Sequence, residues 1–103
     1  MDTGLIAGIV NMRRHEICSE AAELCREIES TREYLYTFRA ERGDKAAQKM
    51  GLKYLTYCRK AANALIDEIT EAAEENYDGE LMGWVTEINE ALSSLETEIF
   101  CTE

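Results

Sequence analysis

The stretch from Asp44 to Tyr77 constrains this chain most. It runs 34 residues with no proline and a single glycine, Gly51. Small or apolar residues recur along it at Ala47, Gly51, Tyr54, Cys58, Ala61, Leu65 and Ala72, at intervals of three and four until Glu68 interrupts. A flanking row of Met50, Leu55, Ala62, Ile66, Ile69 and Ala73 widens the stripe. A period near 3.6 belongs to an amphipathic helix, and so wide a stripe predicts a helix touching neighbours on two sides.

The residues before it carry the same signal. Val10, Ile17, Ala21, Leu24, Ile28, Leu35 and Phe38 keep one phase, with Arg14 and Thr31 in the two remaining slots. Asp2 or Thr3 can cap the start. Ser30 followed by Glu33 has the form of a capping box, which would restart a helix. The stripe holds its phase through Ser30, so the reading is one helix over 4–42. Gly43 suits the left-handed position after a helix end, and Asp44 is expected to cap a second helix over 45–76. Asn76-Tyr77-Asp78-Gly79 reads as a turn. Asp78 is expected to cap a third helix over 80–100, whose stripe is Leu81, Val85, Ile88, Leu92, Leu95 and Ile99, flanked by Trp84.

Short connections make neighbouring helices antiparallel. The expected fold is therefore all-α: one domain over 1–103, an antiparallel helical bundle of three long helices. At ~1.5 Å per residue these are about 58, 48 and 33 Å long. The third would reach back only to the level of residue 53, leaving 30–42 against 45–52 as a projecting hairpin. Tyr34, Leu35, Phe38, Ala47 and Met50 on that hairpin are the expected self-association surface of a homodimer. The alternative is four helices with a break near Ser30.

Composition narrows the function classes. With 46% hydrophobic residues, no proline and six glycines, the chain can fold without a loop-rich β architecture. Cys18, Cys25, Cys58 and Cys101 form no CxxC pair, and His15 is the sole histidine, which opposes a zinc site. The apolar run Leu5–Val10 is too short for a signal sequence or a span. A cytoplasmic protein with reduced thiols is expected, away from membranes.

The net charge is −10, and it is unevenly laid out. Residues 1–42 carry −2, residues 43–60 carry +4, and residues 61–103 carry −12 with no lysine or arginine. Antiparallel packing turns this into poles. Asp67, Glu68, Glu71, Glu74, Glu75, Asp78, Glu80, Glu87 and Glu90 gather around the turn between the second and third helices. Arg13 and Arg14 should lie alongside and neutralise part of the cluster. Arg32, Arg39, Arg42, Lys45, Lys49 and Lys53 lie toward the opposite pole. A solvated helix ordinarily mixes signs and gains a few tenths of a kcal/mol per opposite pair. A surface of one sign instead steers a basic partner and repels nucleic acid. The nine carboxylates are therefore the candidate partner-binding face, with a solvated surface as the bland alternative. Direct nucleic-acid binding is opposed by the charge, although Tyr34, Tyr36, Phe38, Tyr54 and Tyr57 among basic residues could stack bases.

Other chemistry fits poorly. Glu20-x-x-Glu23 and Glu71-x-x-Glu74 are similar to the paired glutamates that hold Mg²⁺ in helical nucleotide pyrophosphohydrolases. They fall at different heights, and the lysine-containing second motif of that family is absent. Glu74-x-Asn76-x-Asp78-Gly79 has the beginning of a Ca²⁺ loop but places Val85 where the closing glutamate belongs. His15 has no nucleophile arrangement around it. No metal, cofactor or catalytic residue is expected. In size, charge and helicity the chain resembles phage-encoded inhibitors of host nucleases and CRISPR complexes. The resemblance is one of type and implies a non-enzymatic protein that occludes a basic, nucleic-acid-binding surface in the host cytoplasm. The alternatives are an oligomeric adaptor bundle and the Mg²⁺-dependent hydrolase.

Overall fold

A computed structural model describes residues 3–75 and 77–100, with side-chain surroundings from Met12 onward. Three helices account for nearly all of it: α1 Thr3–Arg42, α2 Asp44–Glu75 and α3 Gly79–Ile99. Each packs against both others, giving an antiparallel three-helix bundle 63 Å long and 17–18 Å across. Asp2, Asn76, Cys101 and Glu103 lie outside the described residues.

The heptad-like spacing builds the core. Ile17, Ala21, Leu24, Ile28 and Leu35 of α1 meet Leu55, Cys58, Ala62, Leu65 and Ile69 of α2 and Leu81, Ile88, Leu95 and Ile99 of α3. α1 is continuous through Ser30. Thr31 takes the next slot of the row half-buried, and its hydroxyl donates to the Glu27 carbonyl at 2.8 Å.

The structure keeps Ala47, Gly51, Cys58 and Leu65 of the α2 stripe and moves three of its slots by one position. Leu55, Ala62 and Ile69, expected at the flank, are buried, while Tyr54 is 40% exposed and Ala61 half-buried. Tyrosine fits the edge of a stripe, with its ring on apolar surface and its hydroxyl in water. Asp44 is also reassigned. It is the first residue of α2, and the Gly43 carbonyl opens that helix by accepting the Ala47 N–H at 3.1 Å. Gly43 alone joins the two helices, at φ +91°. Asp78 caps α3 as expected, its carboxylate accepting the N–H groups of Glu80 and Leu81.

The projecting hairpin is shorter than expected. Ile99 packs onto Gly51, where an added Cβ would stand 2.6 Å from its Cγ1 and 3.2 Å from Leu35 Cδ1. Leu35 and Ala47 are therefore buried within the chain and are withdrawn from the self-association surface. Phe38 and Met50 are half-buried, and Tyr34 is exposed. Tyr34 stacks on Phe38, ring centroids 5.9 Å apart. α3 reaches this level because Arg39 of α1 grips its end, donating to the Glu98 carboxylate at 3.0 Å and to the Glu98 backbone carbonyl.

Candidate functional site

The acidic pole is assembled by register. Arg13 of α1 lies 4.0 Å from Glu71, and Arg14 bridges Asp78 and Glu80 at the start of α3. Both arginines thus neutralise part of the cluster, as the antiparallel layout predicts. Arg14 holds the Asp78 carboxyl below the ordinary carboxylate range, against a smaller upward push from burial. The paired carboxylates raise the Arg14 guanidinium in turn. Asp78 is committed to the cap and to Arg14, so it is a positioning residue of the turn rather than an open contact.

Asp67, Glu68, Glu74, Glu75, Glu87 and Glu90 are exposed. Among the described residues none of them has a basic group within 4.0 Å. They do not form one face. Of those on α2, Glu68 rims a notch with Glu20, Glu23 and Glu27 over a floor of Leu24, Ala61, Ala64 and Leu65. Glu87 and Glu90 lie on the other side of α1, where they line a cleft with Glu29 and Arg32. The carboxylates of α1 are the part that sequence reasoning missed. Their signal was present: Glu20 and Glu27 are seven apart and border the core row at Ala21, Leu24 and Ile28. Glu27 belongs to the groove.

The α1–α2 groove changes character along its length. Beyond the acidic notch, with which it shares Glu23 and Glu27, it is lined by Arg26, Ser30, Thr31, Lys53, Tyr54 and Tyr57. Tyr34 and Phe38 continue the row of Glu27 and Thr31 at intervals of three and four. Three exposed tyrosines, Tyr34, Tyr54 and Tyr57, thus stand on one side of the bundle. Tyr36 is exposed elsewhere.

Helix ends complete the electrostatics. α1 finishes with Arg39 and Arg42, and α2 and α3 begin with Asp44 and Glu80. All of these complement the helix dipole. The last turn of α2 does the reverse: it holds no base and ends on Glu74 and Glu75.

The remaining candidates separate. Glu20 and Glu23 face the notch, whereas Glu71 sits beside Arg13, so the two ExxE pairs do not converge. No three potential metal ligands cluster among the described residues. Asp78 is occupied, and Asn76 of the Ca²⁺-like run lies outside the described residues. His15 is exposed. Burial pushes the Cys25 and Cys58 thiols up, with Glu87 and Glu27 adding to it, the opposite of an activated thiolate. Among the described residues no helix is long and apolar enough to cross a membrane. No family model, curated protein or solved structure matches the chain.

Proposed function

We propose that this is a non-enzymatic binding protein that occludes a basic, nucleic-acid-binding surface of another protein. The supporting observation is the end of α2. Glu74 and Glu75 stand against the helix dipole, each at a cost of about 0.3–1 kcal/mol, beside further exposed carboxylates with no base to offset them. Lysine at these positions is expected to stabilise the helix end. Carboxylates spaced along a helix present anionic oxygens to a groove that ordinarily receives phosphates. Their field raises the encounter rate, and the rigid helices hold them in place. The small size, acidity and helicity are those of phage inhibitors of nucleic-acid-processing complexes, the anti-CRISPR class included.

The test is charge reversal. Glu71→Lys with Glu75→Lys keeps helix propensity, and Glu33→Lys is the comparison, on an exposed site remote from the acidic pole. Immobilised wild type is expected to capture a nucleic-acid-binding protein that DNA or RNA displaces, while the double variant loses it and Glu33→Lys retains it. Equal capture by all three proteins would reduce the acidic pole to a solvated surface.

A further inference from the structure

One outward row of α2 holds Lys45, Lys49, Lys53, Thr56, Lys60, Asn63, Asp67, Glu71 and Glu74. The intervals are three and four throughout, and all nine residues are exposed. Its first half is basic and its last third acidic, so the row is its own complement when reversed. Turned about Lys60, Lys45 meets Glu74, Lys49 meets Glu71, Lys53 meets Asp67, and Thr56 meets Asn63. A two-fold axis across α2 performs this reversal, and an isologous interface requires such self-complementarity.

A second observation sets the same register. Tyr57 borders the row and is 65% exposed. The reversal places it opposite position 63 of a second copy. That is the level of the notch floored by Leu24, Ala61, Ala64 and Leu65 and rimmed by carboxylates. A phenol ring covers such a floor, and its hydroxyl donates to the rim. Tyrosine is a frequent interface anchor for this combination of apolar body and polar tip.

We infer that a second copy of this chain docks antiparallel on the outer face of α2, with Tyr57 of each copy in the notch of the other and Lys45, Lys49 and Lys53 facing Glu74, Glu71 and Asp67. This contact differs from the hairpin-end surface that helix lengths suggest, because α3 already covers Leu35 and Ala47. Lys60 meets itself on the axis and is the one like-charged contact. The interface is small and charge-rich, which places it in the weak, salt-sensitive class. The inference does not rest on the inhibitory reading, since the purified chain alone reports it. A basic partner and a second copy would compete for Asp67, Glu71 and Glu74.

Sedimentation of the purified full chain at increasing concentration, in ~0.05 M and ~0.5 M salt, tests the contact. A dimer that dissociates with salt is expected. Lys49→Glu with Lys53→Glu should weaken it about tenfold or more. Adding Asp67→Lys and Glu71→Lys to that variant should restore it, because the swap preserves complementarity. Lys60→Ala should tighten the dimer, and Tyr57→Ala should weaken it at every salt concentration. Circular dichroism of each variant establishes that it is folded. A wild type that stays monomeric into the millimolar range overturns the inference. A dimer that the swapped variant fails to regain also overturns it.

Discussion

Both ends of the bundle are pinned by an arginine of α1, and the two pins do different things. At one end Arg39 faces Asp44 at 3.4 Å and holds Glu98 at 3.0 Å. The Arg39 and Glu98 side chains are only 17% and 19% exposed. At the other end Arg14, 36% exposed, holds Asp78 and Glu80, which are 23% and 64% exposed. The first pin closes a structure: Arg39 and Glu98 are largely shielded, and an apolar seat made by Gly51, Leu35 and Ile99 lies at the same end. The second organises a surface: it engages Asp78 and Glu80 and leaves Glu74 and Glu75 exposed. The better-shielded pair at Arg39 is expected to bear more on stability, and the more exposed set at Arg14 more on the layout of the pole.

The largest effect should come from filling the seat. Gly51→Val places methyl groups where Ile99 and Leu35 already stand. Overpacking exceeds the gain in helix propensity, and a loss of about 2–3 kcal/mol is expected in urea unfolding. Ile99→Ala in the same chain should recover part of that loss, and additive losses would refute the contact.

Arg39→Met keeps the aliphatic stem and removes the guanidinium. Glu98 then loses its partner in a mostly buried setting, for a loss of about 2 kcal/mol, or roughly 10 °C in Tm for a domain of this size. Arg14→Met should cost clearly less. Equal losses would erase the contrast between the two ends.

Glu74→Lys with Glu75→Lys should raise stability, by about 1 kcal/mol in total, through the dipole. A drop in Tm would show that these carboxylates support the fold.

The smallest effect concerns pH. Arg14 depresses the Asp78 carboxyl, so Asp78 contributes stability above its unfolded value near ~3.9, and the contribution fades as pH falls through the lower folded value. The difference in Tm between wild type and Asp78→Asn should be full at pH 6 and shrink below pH 4. A constant difference would mean that the cap, and not the charge, accounts for Asp78.

The helices were legible because their stripes repeat over many turns and because Gly43 and Asp78 punctuate them. The rotation of α2 was less legible. Tyr54 and Leu55 both score as apolar, and only the packing of α3 decides which faces inward. The seat at Gly51 and the grip of Arg39 on Glu98 depend on where α3 ends relative to α2, which loop composition does not fix to within a turn. The concentration of carboxylates at one pole is a count along the sequence, and their division between two sides is not visible in that count. The carboxylates lie on both sides of α1, and that division follows from how α3 is rotated, not from spacing along either helix.

Gly43 makes the architecture conditional. One residue at φ +91° is all that turns a 40-residue helix back on a 32-residue one. Nothing lies within 4 Å of where its side chain would stand, so the conformation alone selects glycine. A residue favouring the right-handed region would let α1 run on into α2 as one rod of about 110 Å, and the bundle could then close only by exchanging helices with another chain. Gly43→Ala is expected to populate such an exchanged dimer, slow to dissociate and indifferent to salt, which chromatography distinguishes from a salt-sensitive association. The reversal of the chain, and with it which charges share a pole, is decided at a single backbone dihedral.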